Sequence, residues 1–308
     1  MKLSVIIPTV NRGGLLDKAL DSIAKQTLDQ NLFEVIVVDN GSTDSTELIV
    51  NSFMGKIKNL VYIYDKNPGL HVGRHRGLFA AKADILVYGD DDIEATPTWL
   101  EGVIESFEDE KVALVGGKNL PKFEVEPPQW IKCLWEKDKK IEYLSIIDLG
   151  DQKKEISPAF VFGCNFSIRK SVLQEAKGFH PDGMPKNLIK YRGDGETYVA
   201  KFIQNRGYKA LYNPKASVYH FVPKERMTKD YFKMRAFLEG ISQSYTDIRY
   251  GNKTLNLMKE KIKIFMKDVL GRDVEIYKSY IKGYEYHQNE IKRDRKLLIW
   301  VMKDSYLE

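Results

Sequence analysis

Apolar positions along the first third of the chain fall into two alternating rhythms. Short runs rich in Val, Ile and Leu, at Leu3 to Ile7, Phe33 to Val38, Leu60 to Tyr64 and Ile85 to Tyr88, read as strands, the last of them buried. Between them, Leu15, Leu16, Ala19, Leu20 and Ile23 recur at helical spacing, and a second helical stretch runs from Ser45 to Phe53. A Gly-rich turn from Gly69 to Gly77 opens a third helix leading to Ala83. Strand, turn and helix repeated in this order predict an α/β fold with a mostly parallel, doubly wound central sheet. Ligands bind such sheets at the carboxyl ends of the strands, and the polar turns of this chain fall there. Further on, Trp99 to Phe107 predicts a helix, Val112 to Gly116 a strand, Val161 to Arg169 a strand, and Thr197 to Arg206 a helix. The segment from Asn119 to Pro158 loses periodicity. Beyond Pro223, mixed charges at apolar helical spacing predict helices broken near Gly251, Gly271 and Gly283.

The strand at Ile85 ends in three consecutive carboxylates, Asp90, Asp91 and Asp92, which a core accepts only beside a compensating cation. Alternate residues of an extended segment share a face, so Asp90 and Asp92 can point together while Asp91 points elsewhere. Such a pair suits Mg²⁺ or Mn²⁺ held against a bound diphosphate; a solvated acidic turn is the plainer alternative. Asp39 to Asp44 reads either as a ligand-binding turn or as a tight turn feeding a helix cap. Arg74 and Arg76 read as phosphate contacts or as solvated helix charges. Three polar turns on one sheet edge favour the ligand reading.

Composition narrows the classes. At 308 residues with a net charge of +5, the chain is a globular protein whose Lys and Arg are scattered, which argues against a dedicated nucleic-acid binder. The two cysteines, Cys133 and Cys164, suit a reducing compartment better than a disulfide framework or zinc cluster. With no signal-peptide pattern and no run long enough to span a bilayer, the expected setting is cytoplasmic. Lys292 to Lys303 joins a basic cluster to a short apolar run, which can lie on the inner face of a membrane or pack against the domain or a second subunit. Trp130 and Trp135 read as sugar-stacking rings or as core filling.

The succession Ser4-Val5-Ile6-Ile7-Pro8-Thr9-Val10-Asn11-Arg12, Val37-Val38-Asp39-Asn40-Gly41-Ser42-Thr43-Asp44, Gly73-Arg74-His75-Arg76-Gly77 and Asp90-Asp91-Asp92 resembles the family 2 glycosyltransferases of the GT-A fold. The resemblance covers the first two thirds of the chain. It implies a nucleotide-sugar donor, with Pro8 and Thr9 bordering the nucleotide pocket, Asp39 on the base and Arg74 near the nucleotide or its phosphates. Asp90 would approach the ribose, and Asn11, Arg12, Gly41 and Asp91 join the donor-binding candidates. Asp92 and His220, at the end of the family's closing strand, would hold Mn²⁺ or Mg²⁺. His75 departs from the Asn usual there. Gly163-Cys164-Asn165 is similar to a family segment that lines the sugar and acceptor pocket.

The same resemblance locates a base. The family places Glu-Asp before an amphipathic helix, with an apolar residue three positions after the Asp and a Gly-aromatic pair eleven and twelve positions after it. Counting back from Gly207-Tyr208 reaches Glu196, and three forward from Glu196 reaches Val199. Glu196 therefore takes the Asp position, Gly195 replaces the usual Glu, and Asp194 supplies a second carboxylate as a catalytic candidate. An acid at a helix start is favoured by the dipole whatever its chemistry, and helix capping fits Asp194 better than Glu196.

These readings converge on a metal-dependent, inverting transfer of a sugar, from UDP before other nucleotides, to a hydroxyl on a carbohydrate, lipid-linked or protein acceptor. The expected division is a GT-A domain over 1–223, with a nucleotide and metal half at 1–118 and an acceptor and catalytic half at 119–223, and a helical region at 224–308. That last region is expected to serve acceptor engagement, membrane contact or homo-oligomer assembly rather than nucleotide binding. The alternatives are a nucleotidyltransferase, which would need a Gly-rich triphosphate loop after the first strand, and a non-catalytic binding protein or scaffold.

Overall fold

The computed structural model describes residues 1–270 and 273–307. In chain order its strands are β1 (Leu3–Thr9), β2 (Phe33–Asp39), β3 (Leu60–Tyr64), β4 (Ile85–Gly89), β5 (Ile93–Ala95), β6 (Val112–Gly116), β7 (Asn119–Phe123), β8 (Lys140–Ile141), β9 (Ile146–Ile147), β10 (Lys154–Ile156), β11 (Asn165–Arg169), β12 (Lys209–Tyr212) and β13 (Val218–Val222). The helices are α1 (Gly13–Ala24), α2 (Thr46–Ser52), α3 (Leu70–Ala80), α4 (Trp99–Ser106), α5 (Gln129–Asp138), α6 (Lys170–Glu175), α7 (Gly195–Asn205), α8 (Lys229–Tyr250), α9 (Leu257–Val269), α10 (Glu275–Arg293) and α11 (Arg295–Val301).

The main sheet has the order β10-β12-β6-β11-β4-β1-β2-β3. β4, β1, β2 and β3 run parallel, as the alternating pattern requires, and β11 enters antiparallel between β4 and β6. Val and Ile on both faces of each central strand bury the sheet on two sides. Leu3, Val5 and Ile7 face one core together with Val35 and Val37; Ile6, Ile36 and Val38 face the other. A smaller sheet, β5-β13-β7-β9-β8, lies beyond the carboxyl end of β4.

Several expectations need correction. The Gly-rich stretch at 69–77 is a helix from Leu70 onward, so Arg74 stands on a helix and not in a turn. Its glycines permit close packing: a Cβ on Gly77 would lie 2.2 Å from Ile6 Cγ2, and one on Gly73 2.3 Å from the Asn40 side chain. The stretch from Asn119 to Pro158 holds β7 to β10 and α5, elements mostly too short to print a period. Residues 161–164 precede β11 rather than belong to it, and the closing strand is two strands, β12 and β13, in different sheets. Trp130 and Trp135, both partly buried, pack against an apolar cluster that includes Ile131 and Phe232, as the core-filling alternative expects.

Gly251 ends α8 with φ 63°, but Gly283 lies inside α10. A Cβ there would lie 1.9 Å from the carbonyl oxygen of Phe237, and one on Gly240 2.0 Å from that of Tyr280. The pair lets α8 and α10 cross at backbone contact. Gly271 lies outside the described residues. In α11, Leu297 and Val301 are buried against Tyr245 and Tyr306, so this end of the basic segment packs on the protein.

Candidate active site

The carboxyl ends of β1 and β4, the start of β13 and the first turn of α7 converge on one acidic centre. β13 pairs with β5 so that His220 stands opposite Ile93, and the Phe221 N–H donates to the Asp92 carbonyl. This register brings His220 Nε2 to 3.3 Å from Asp92 Oδ1. Ligand atoms of Asp90, Asp92 and His220 all lie within 4.8 Å of one another. The expected split of the triplet holds in space: Asp91 turns away and accepts from the Thr9 hydroxyl at 2.7 Å.

Cations do sit on the triplet. Arg12 reaches Asp91 at 2.7 Å and Asp92 at 2.6 Å, and Arg226 reaches Asp92 at 3.2 Å. Burial opposes ionisation of Asp92, but His220 in its protonated form, Arg12 and Arg226 outweigh it and hold the carboxyl well below the usual range. For Asp91, burial wins over Arg12, and its carboxyl is pushed up to about 7. Burial likewise raises Asp90, against the pull of Arg74. Arg226 comes from the region that the sequence sets apart from nucleotide binding, and no local motif marks it. Only the fold of the chain after β13 brings it back to Asp92.

The donor set fits a divalent metal. Leu144 C=O lies 2.8 Å from His220 Nδ1 and can only accept, so Nδ1 carries a proton and, in the neutral imidazole that a metal requires, Nε2 presents a lone pair. Asp92 Oδ1, facing that nitrogen, is buried and accepts no hydrogen bond among the described residues. Two acceptors aimed at each other across 3.3 Å form a place for a cation, and a backbone carbonyl orienting the imidazole is the usual support of a metal-binding His.

Beside this centre is a cavity of about 300 Å³ lined by Pro8, Thr9, Arg12, Asp90 and Asp91 with Asn40, Lys66 and Gly69. Asp39 lies deeper; its oxygens accept from Ser42 N–H at 2.7 Å and Tyr62 O–H at 2.8 Å. Asn11, with φ 52°, accepts from the Thr43 N–H, which ties the turn after β1 to the turn after β2. Gly41, φ 91°, packs against Lys66.

Arg74 links this cleft to a second one. Its guanidinium is buried, 3.8 Å from Asp90 and 3.2 Å from Glu196, and stacks over Phe179. Gly163 makes room for the pair, since a Cβ there would lie 2.4 Å from Arg74 and 2.8 Å from Glu196. Asn165 instead spends its amide on Trp99, Asn119 and Ala216 and is structural. Glu196, with its side chain 29% exposed, opens into a cavity of about 330 Å³ whose walls include Tyr143, Asp182, Arg192, Lys201, Arg235 and Ser242. α8, from the helical region, thus forms one wall.

Asp194 is not a capping side chain: it makes no hydrogen bond to the first turn of α7. It is 3% exposed and bonds His180 Nδ1 at 2.6 Å and the Thr246 hydroxyl at 2.9 Å, joining α7 to α8. Gly195 has φ 52°, and a Cβ there would meet the Asp182 carboxylate at 2.8 Å. Asp182, paired with Arg192, is a carboxylate of this cavity that motif spacing could not find. His75 is explained by the chain's end: its Nδ1 bonds the Tyr306 carbonyl and its Nε2 accepts from Phe179 N–H.

Residues 4–176, more than half of the chain, match the profile described as Glycosyl transferase family 2. The chain is 24% identical over 257 residues to the glucosyl-dolichyl phosphate glucuronosyltransferase of Haloferax volcanii, covering 81% of this chain and 79% of that one. It is 29% identical over 244 residues to the O-antigen chain rhamnosyltransferase of Salmonella typhimurium, covering 77% and 72%. A mannosyltransferase from Pyrobaculum calidifontis, solved with GDP-Man and Mn²⁺, superposes with TM-score 0.56 at 18% identity, covering 97% of this chain and 73% of that one, a likeness of fold. The nucleotidyltransferase and scaffold alternatives give way to the family match, and the chain is an enzyme of glycosyltransferase family 2 with the GT-A fold.

Proposed function

We propose that this enzyme transfers a sugar from a nucleoside diphosphate, UDP before GDP, to an acceptor hydroxyl with inversion, and that Glu196 is the base. The observation that carries the reading is Arg74, one guanidinium spanning Asp90 in the donor cleft and Glu196 in the larger cavity. A base must stand between donor and acceptor, and of the two partly exposed carboxylates on Arg74 it is Glu196 that opens into the larger cavity. Glu196 takes the proton of the acceptor hydroxyl as its oxygen attacks the anomeric carbon; the bond from that carbon to the phosphate oxygen breaks, and nucleoside diphosphate leaves. Asp92 and His220, with Asp90 beside them, would hold Mn²⁺ or Mg²⁺, which when bound offsets the charge of the departing diphosphate.

The chain's own groups do the rest. Pro8 and Thr9 wall the nucleotide cleft, Arg12 and Arg226 sit where phosphate charge arrives, and Asp39 marks the base end. Each Asp39 oxygen keeps a lone pair beside its Ser42 or Tyr62 bond, enough to accept an N–H from a pyrimidine. Asp194 positions α7 rather than touching substrate. Residues 1–118 then form the donor half, 119–223 the catalytic half and 224–308 a helical region that also walls the acceptor cavity. The acceptor is a carbohydrate, lipid-linked or protein hydroxyl; the name of the Haloferax relative favours the lipid-linked class. The free cysteines suit the cytoplasm, at the inner face of a membrane. Calorimetry across nucleoside diphosphates and nucleotide sugars, with and without Mn²⁺, followed by a product assay, tests the reading. Tightest binding of UDP and its sugars with Mn²⁺ is the expected result; no metal-enhanced binding of any of them defeats it.

A further inference from the structure

We infer that helix α9 is an interfacial anchor for a membrane surface rich in anionic phospholipid. This goes beyond sugar transfer, since α9 contributes to neither cavity of the active site. Its inner edge, Leu257 and Ile264, packs against Val274, Tyr280 and Ile281. At about 100° per residue, Met258, Ile262, Phe265 and Met266 fall within an arc of roughly 100° on the side away from Ile264. These four side chains are between 54% and 75% exposed, and among the described residues nothing covers them. Scattered exposed apolar residues are ordinary, but four contiguous ones on a single helix face mark an interaction surface.

Charge selects what covers it. Lys259 and Lys261 stand at the two borders of the arc, Lys263 and Lys267 lie further round, and Lys253 precedes the helix. The helix has only two acids, Glu260 and Asp268. Lys261 bridges Glu285 and Lys263 bridges Glu260, while Lys253 and Lys259 make no ion pair among the described residues. An apolar arc rimmed by ammonium groups matches a surface whose hydrocarbon lies beneath a layer of phosphate, with the lysine stems following the arc inward and their heads staying at the phosphates. A second copy of the helix would set these lysines against one another. Among the described residues no helix is long and apolar enough to cross a membrane, so the contact is one of lying on the surface.

Flotation of the full chain with vesicles tests this. Binding to phosphatidylcholine vesicles carrying about a third phosphatidylglycerol should exceed binding to phosphatidylcholine alone by at least tenfold at low salt, and should weaken as salt screens the lysines. The double variant Ile262→Ser/Phe265→Ser should lose at least tenfold of that binding while keeping its melting temperature and nucleoside diphosphate affinity, because both side chains are exposed. Lys253→Glu/Lys259→Glu should remove the preference for phosphatidylglycerol. Wild-type protein that ignores anionic vesicles, or a serine variant that floats like wild type, overturns the inference. So does a dimer, seen by light scattering without vesicle binding, that the serine variant dissolves. Failure to transfer sugar would bear on the catalytic reading and leave this one standing.

Discussion

Glu196→Gln and Asp194→Asn, two carboxylates two residues apart, should separate rate from stability in opposite directions. Glu196→Gln removes the proton acceptor, and a positioned base contributes roughly 10² to 10⁴ in rate, about 3 to 5 kcal/mol of barrier. Its effect on stability is small: the Arg74 pair is 3.2 Å long with Glu196 29% exposed, so solvent screens it to about 1 kcal/mol or less. The Gln amide oxygen can also still accept from Arg74. Asp194→Asn leaves the proton acceptor intact but weakens two buried bonds, to His180 at 2.6 Å and Thr246 at 2.9 Å. Losing charge from such a buried pair costs about 2 to 3 kcal/mol, which lowers the melting temperature of a chain this size by roughly 3 to 5 °C. Both variants should bind nucleoside diphosphate as wild type does. Melting, donor calorimetry and single-turnover transfer to a working acceptor, measured side by side, give the answer. A stable, inactive Asp194→Asn beside a Glu196→Gln that turns over nearly normally would place the base two residues upstream and refute the assignment.

Three further outcomes follow from particular contacts. Asp92→Asn removes a ligand charge at constant size, and the gain in nucleoside diphosphate affinity that Mn²⁺ provides should fall at least tenfold; calorimetry showing unchanged metal dependence refutes the metal role. Gly283→Ala should destabilise by about 3 kcal/mol or more, since its Cβ meets the Phe237 carbonyl at 1.9 Å; a mere helix interruption would instead gain about 1 kcal/mol from helix propensity, so the sign of the change in urea midpoint decides. Burial holds the imidazoles of His71, His75 and His287 down to about 4, 3 and 4. Below pH 6.5 the unfolded chain binds these protons and the folded one does not, so each histidine should take about 1.4 kcal/mol per pH unit from stability until its folded value is reached. A smaller gain from Asp91, whose raised carboxyl is protonated first in the folded chain, opposes this loss. Equal urea midpoints at pH 7 and pH 5 would contradict that.

What the sequence determined by itself was whatever local pattern encodes. Short Val- and Ile-rich runs bounded by polar turns and alternating with helical spacing read as the strands of a parallel sheet. β1 to β4 and their helices were therefore legible, although β3 at the sheet edge is only partly buried. The Asp triplet at a strand end announced a cation, and the spacing from Glu196 to Val199 and Gly207 marked the start of α7. Glycines were misread where the sequence shows only a missing side chain: the same residue breaks a helix at Gly251, crosses another helix at Gly283 and admits Ile6 at Gly77. Only the neighbour decides which, and the neighbour is distant in the chain. The same holds for the site. The resemblance already named His220 as a ligand, but which of its nitrogens faces Asp92 is set by the pairing of β13 with β5 and the Leu144 carbonyl behind its ring. Arg226 and Asp182 enter because the chain returns to the cleft after long excursions, and Asp194 reads as a cap until Thr246 of α8 is beside it. Such contacts are set by long-range packing, whose partners leave no periodic mark on the residues they join.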